Sequence, residues 1–209
     1  MLDEVDFSSF DRSVLPSIYE KHGMFVIRGL LDRKKLADLR IAIEGMIRDR
    51  IASVGHAVPE GDIDALFNTL CDIDRKLGAQ VYDHVKDLPE YYSLLVDDDV
   101  RKIAGDLLGT ERLQVPFDIC LFRIDRPSED RFIFDWHQDY PYNLISRNAV
   151  TAWYPLTDIE ADMGFLKVMP GAHRRIEPIE IKNPEFRPGQ GGGGKSLKMA
   201  RETFDDFES

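Results

Sequence analysis

Trp136-His137-Gln138-Asp139 sits inside a run, residues 133–140, that reads as a β-strand bounded upstream by the turn chemistry of residues 125–131. Side chains alternate along a strand, so His137 and Asp139 are expected on one face with Gln138 pointing away. An imidazole nitrogen and a carboxylate oxygen on one side can both reach a single metal ion. A second histidine from elsewhere would complete the facial triad used by non-haem Fe(II) oxygenases, which leaves coordination positions open. A match this short is weak by itself. The plain alternative is that His137 hydrogen-bonds Asp139 or a backbone carbonyl.

Two further stretches stand downstream. Ala152-Trp153-Tyr154-Pro155-Leu156-Thr157-Asp158 lies on a run, 149–155, with strand character. Met163-Gly164-Phe165-Leu166-Lys167-Val168-Met169-Pro170-Gly171-Ala172-His173-Arg174 carries another short strand, 165–169, into a Pro-Gly turn. In order and spacing these three stretches resemble the phytanoyl-CoA dioxygenase family, with its W-H-Q-D-like strand, its A-W strand and its N-G-G-L-x-V-x-P-G-S-H-like hairpin. Gly23-Met24-Phe25-Val26-Ile27-Arg28-Gly29 also resembles that family's entry strand. The likeness runs from about residue 10 to 175.

The resemblance implies an α+β chain with a double-stranded β-helix, a jelly-roll core flanked by N-terminal helices. It implies Fe(II) and the co-substrate 2-oxoglutarate, with His137 and Asp139 as the first two iron ligands. Trp153 matches the position beside 2-oxoglutarate; its alternative is a buried core aromatic. Halogenating relatives have a small residue at the place of Asp139, so the carboxylate implies hydroxylation or a related oxidation. His173 matches a turn histidine that does not bind iron, and a local hydrogen bond is expected for it. The family's second iron-binding histidine, the arginine that grips 2-oxoglutarate and the last barrel strands have no counterpart after His173, where the chain holds no histidine. A truncated chain, or a non-catalytic member acting as a small-molecule binding module, is the alternative to an active oxygenase.

The flanking sequence is helical. Residues 11–22 carry Leu15, Ile18 and Tyr19 at helical spacing and stop at Gly23. A helix from Asp32 buries Leu36, Leu39, Ile43 and Met46, and a third over 62–86 buries Ile63, Leu66, Leu70, Ile73, Leu77 and Val81. A fourth runs over 98–108 to Gly109. Residues 114–124 read as the first strand of the later half. His22, His56 and His84 fall in the helical half as surface or core-edge residues. The expected organisation is one domain over 1–209: helix-rich 1–110, a β-core over 111–181, and a Gly/Pro-rich loop with a charged, weakly helical tail over 182–209.

Composition narrows the function classes. A net charge of −11 and a pI near 4.9 argue against a nucleic-acid partner, which wants a basic face. Arg123, Arg126 and Arg131 could form a basic patch for CoA phosphates, although a solvated loop of charges is the commoner outcome. Cys71 and Cys120 form no C-x-x-C pair, and no apolar run reaches the length of a membrane span. With no signal peptide in the first ten residues, a cytoplasmic enzyme acting on a small molecule is expected. Gly189-Gln190-Gly191-Gly192-Gly193-Gly194-Lys195-Ser196 fits the P-loop pattern G-x-x-x-x-G-K-S. That loop needs a strand before it and a helix after it, and Pro184 and Pro188 interrupt the approach. ATP or GTP binding there is the weakest alternative.

Overall fold

The computed structural model describes residues 3–117, 119–127, 129, 136–140, 146–160, 163–174, 179–181 and 197–199, the last two segments as backbone. Its elements are β1 (Glu4–Asp6), α1 (Leu15–His22, entered through a 3-10 turn at Arg12–Val14), β2 (Val26–Arg28), α2 (Arg33–Ser53), α3 (Ile63–Ile73), α4 (Arg75–Val85), α5 (Pro89–Leu95), α6 (Asp98–Leu108), a 3-10 turn at Ala172–Arg174, β3 (Ile179–Ile181) and β4 (Leu197–Met199). Two compact units divide the chain: Met1–Leu30 with Asp99–Leu113 and Ile133–Ser209, and Leu31–Asp98 with Gln114–Phe132.

The second of these units is a helical cluster. Asp32 caps α2, its side chain accepting from the Lys34 amide at 2.7 Å. Leu39, Ile43, Ile47 and Ile51 then recur every four residues and are buried, forming one apolar ridge. The helices α3, α4 and α5 pack against α2. They contribute Leu66, Phe67, Leu70, Val81, Val85 and Leu94 to the core. Leu36 and Met46, expected in the core, are half-buried because the ridge runs through Ile47 and Ile51 instead.

One helix was expected over 62–86, and two are found. Asp74 breaks it with extended backbone (φ −155°, ψ 119°). Its N–H closes α3 on the Leu70 carbonyl at 3.1 Å, while its carboxylate accepts from the Lys76 amide at 2.8 Å and opens α4. An aspartate that can bond a nearby amide favours such caps over a helix interior. The sequence reading also missed α5, which starts where Pro89 takes the first helical position, its missing N–H costing nothing there.

In the other unit, β1 and β2 pair in parallel, Glu4 with Val26 and Asp6 with Arg28. Gly23 ends α1 in the left-handed region at φ 74°, and α6 has the expected limits, followed by Gly109 at φ 64°. The strands β3 and β4 pair antiparallel, Ile179 opposite Met199.

The expected jelly-roll strands are not laid out as a ladder among the described residues, which are α-rich with two two-stranded sheets. Residues 114–124, 149–155 and 165–169 carry no ladder where described, and 139–140 are helical. In one of these runs burial does alternate: Leu121 and Arg123 are exposed, Phe122 is buried and Ile124 half-buried. Alternation reports a face, however, and a strand also needs a hydrogen-bonded neighbour. The tail expected to be weakly helical holds a strand, β4. Residues 189–196 lie outside the described residues. Directly after them the chain enters β4, where a phosphate-cradling loop requires a helix. No described helix is long and apolar enough to cross a membrane.

Candidate metal centre

His137 and Asp139 do come together. The imidazole Nε2 lies 3.6 Å from Asp139 Oδ1, with the side chains 32% and 48% exposed. They meet in an irregular turn entering the helical residues 139–140, not by alternation along a strand. Gln138 is directed elsewhere, as expected, and its amide donates to the Ala172 carbonyl at 2.9 Å. The other oxygen of the carboxylate is also engaged: Thr151 Oγ1 donates to Asp139 Oδ2 at 2.5 Å.

This pair fits a divalent ion. Two donors each about 2.1 Å from one ion, at a right angle, stand about 3.0 Å apart. The observed 3.6 Å needs only a small side-chain adjustment. One imidazole nitrogen with one carboxylate oxygen is also the donor chemistry of the Fe(II) facial triad. Among the described residues no third His, Cys, Asp or Glu joins them.

Trp153 is 50% exposed, which removes the buried-core alternative for it. Trp136, Phe165, Leu166 and Val168 are exposed as well.

His173 has another task. Its Nε2 stands 3.0 Å from the Glu20 carbonyl, and because a carbonyl only accepts, that nitrogen carries the proton. Arg174 Nη2 donates to the Lys21 carbonyl at 3.0 Å, and the Gly171 amide donates to the His22 carbonyl at 2.9 Å. Three successive carbonyls at the end of α1, which have no partner within their own helix, are thus satisfied by one turn. The local hydrogen bond expected for His173 is instead a contact with a residue far away in sequence. Of the other described histidines, His22 Nε2 lies 3.1 Å from Asp3 Oδ2 and His84 Nδ1 3.6 Å from Asp87 Oδ2.

The suggested arginine patch resolves into ion pairs of the helical unit. Arg126 donates to Asn68 Oδ1 at 3.0 Å and to Asp72 Oδ1 at 2.6 Å, and the hydrogen bond to Asp72 raises its guanidinium pKa. Arg123 pairs with Asp125 at 2.7 Å, and Arg131 lies outside the described residues. Arg123, exposed beside an exposed Asp125, is the solvated loop charge expected, while Arg126 is held on α3.

Thr151 was missed in the sequence. No short motif links it to Asp139, twelve residues earlier in the chain.

The family model described as "Phytanoyl-CoA dioxygenase (PhyH)" matches residues 19–200. The 1-deoxypentalenic acid 11-beta-hydroxylase of Streptomyces arenae is 26% identical over 179 residues, covering 85% of this chain and 60% of the relative. Its namesake from Streptomyces exfoliatus is 27% identical over the same lengths. The chain therefore spans 60% of the length of these curated relatives. No solved structure matches significantly.

Proposed function

The chain belongs to the phytanoyl-CoA dioxygenase family, and from that premise we propose that it is an Fe(II)- and 2-oxoglutarate-dependent dioxygenase that hydroxylates a small organic substrate. The observation that carries this reading is the approach of His137 Nε2 to Asp139 Oδ1, 3.6 Å apart on side chains that solvent can reach.

His137 and Asp139 would hold the ion, and a second histidine would complete the set. When bound, Fe(II) and 2-oxoglutarate supply the oxidation of an unactivated C–H bond by O₂. The residues of the chain bind and orient. Asp139 fills a metal position with a carboxylate, which supports hydroxylation over halogenation. The half-exposed Trp153 offers an indole face beside the co-substrate. Hydroxylation is also the activity named for both relatives, while their substrate, at this identity, stays theirs. The family implies a cupin-like fold. The location proposed for the chain is the cytoplasm, since Cys71 and Cys120 belong to no C-x-x-C pair.

The rival reading, a non-catalytic binding module, is favoured by one observation: the described residues bring two donors together and not three. One assay separates the two. With Fe(II), ascorbate and O₂, the dioxygenase converts 2-oxoglutarate to succinate, and His137→Ala or Asp139→Ala stops it. Succinate at background level in the unaltered chain would sink the enzymatic reading and leave the binding module.

A further inference from the structure

We propose that Thr151 is a positioning residue of the metal centre: its hydroxyl holds Asp139 Oδ2, so that Oδ1 is the oxygen presented, together with His137 Nε2, to a divalent cation. This rests on the assignment of His137 and Asp139 made above.

The two oxygens of Asp139 have different surroundings. Oδ2 accepts from Thr151 Oγ1 at 2.5 Å, and Oδ1 faces His137 Nε2 at 3.6 Å. A threonine hydroxyl has one proton to give, and here it is given to a charged acceptor, the stronger kind of hydrogen bond. The terminal torsion of an aspartate is broad and roughly two-fold, so a carboxylate without a partner can turn either oxygen, or both, toward an ion. The Thr151 hydroxyl removes that freedom. Binding through Oδ1 alone follows, and a one-oxygen carboxylate leaves one more position on the ion than a two-oxygen one. A centre that must admit a co-substrate and O₂ needs that position.

The anchor is also suitably placed to be tested. Thr151 is exposed, so exchanging its hydroxyl for a methyl group buries no new polar atom and opens no cavity. Gln138, between the two donors, is held separately on the Ala172 carbonyl, so the turn does not depend on Thr151 alone.

The test uses Mn(II) alone, titrated into the full chain and followed by the EPR signal of the free aqueous ion. Thr151→Val should weaken Mn(II) binding about 10- to 100-fold, the range typical of lost outer-shell hydrogen bonds to metal ligands. Thr151→Ser, which keeps the hydroxyl, should bind like the unaltered chain, and all variants should share its urea midpoint. If Thr151→Val binds as tightly as the unaltered chain while His137→Ala does not bind, this inference is wrong and the metal assignment stands. If Thr151→Ser is as weak as Thr151→Val, the hydroxyl is not the cause and the inference is likewise wrong. If the unaltered chain binds no Mn(II), or His137→Ala binds it equally well, the metal assignment and this inference fall together.

Discussion

The imidazole of His173 stands where a side chain on Gly23 would have to go: a Cβ built on Gly23 lies 2.2 Å from His173 Nδ1. Gly23 is also the left-handed cap of α1, at φ 74°. One glycine therefore meets two demands, a backbone conformation that side chains resist and room for the ring that caps the Glu20 carbonyl. The turn so docked on α1 is the one whose Ala172 carbonyl receives Gln138, the neighbour of both proposed metal donors.

Gly23→Ala is expected to destabilise the chain by roughly 1–2 kcal/mol for the left-handed backbone alone, and by more because the ring must move. In a His173→Ala background the excess should vanish, leaving the backbone cost. Urea unfolding of the four proteins measures the coupling. Strict additivity would show that the ring and the glycine do not compete for space.

Asp74 makes a second prediction. Asp74→Ala removes the carboxylate that receives the Lys76 amide and should cost about 0.5–2 kcal/mol, the usual range for a lost helix cap. Asp74→Asn keeps an acceptor and should restore most of it. An alanine variant as stable as the parent, with more helix by far-UV circular dichroism, would mean that α3 and α4 fuse without loss.

Tyr91 links the helical core to alkaline pH. Burial pushes its phenol up to about 12 from the ordinary 10.0. The folded state thus keeps a proton that the unfolded chain releases. The resulting stability is complete below pH 10.0 and is lost as pH rises through about 12. Burial raises Tyr19 and Tyr82 in the same direction, so Tyr91→Phe should flatten part of the alkaline fall in unfolding free energy and leave the rest. An unchanged slope for Tyr91→Phe would rule out Tyr91 as a contributor.

The helices were legible because their determinants are local. Leu39 and Ile43 share a face by spacing alone, and the cap Asp32 and the stops Gly23 and Gly109 announce themselves to their nearest neighbours. The break at Asp74 was less visible, since the apolar stripe continues across it from Leu70 to Val81, while the break itself rests on one extended residue whose side chain bonds the Lys76 amide. Strand pairing is not local. Phe122 and Ile124 alternate with exposed residues, yet nothing in that run names a partner strand. In the site, the pairing of His137 with Asp139 was read from spacing of two residues, and their approach holds although the strand invoked for it does not. Thr151 and the contact of His173 with Glu20 join residues distant in sequence, for which short motifs carry no signal.

Under the proposed function, His137 and Asp139 hold Fe(II) with 2-oxoglutarate bound beside them. Its most direct test is anaerobic titration of Fe(II) into the chain with 2-oxoglutarate present, watching the visible metal-to-ligand charge-transfer band. A band is expected in the unaltered chain, and both His137→Ala and Asp139→Ala should lose it. No band in the unaltered chain, or one that survives both substitutions, would contradict the proposed function.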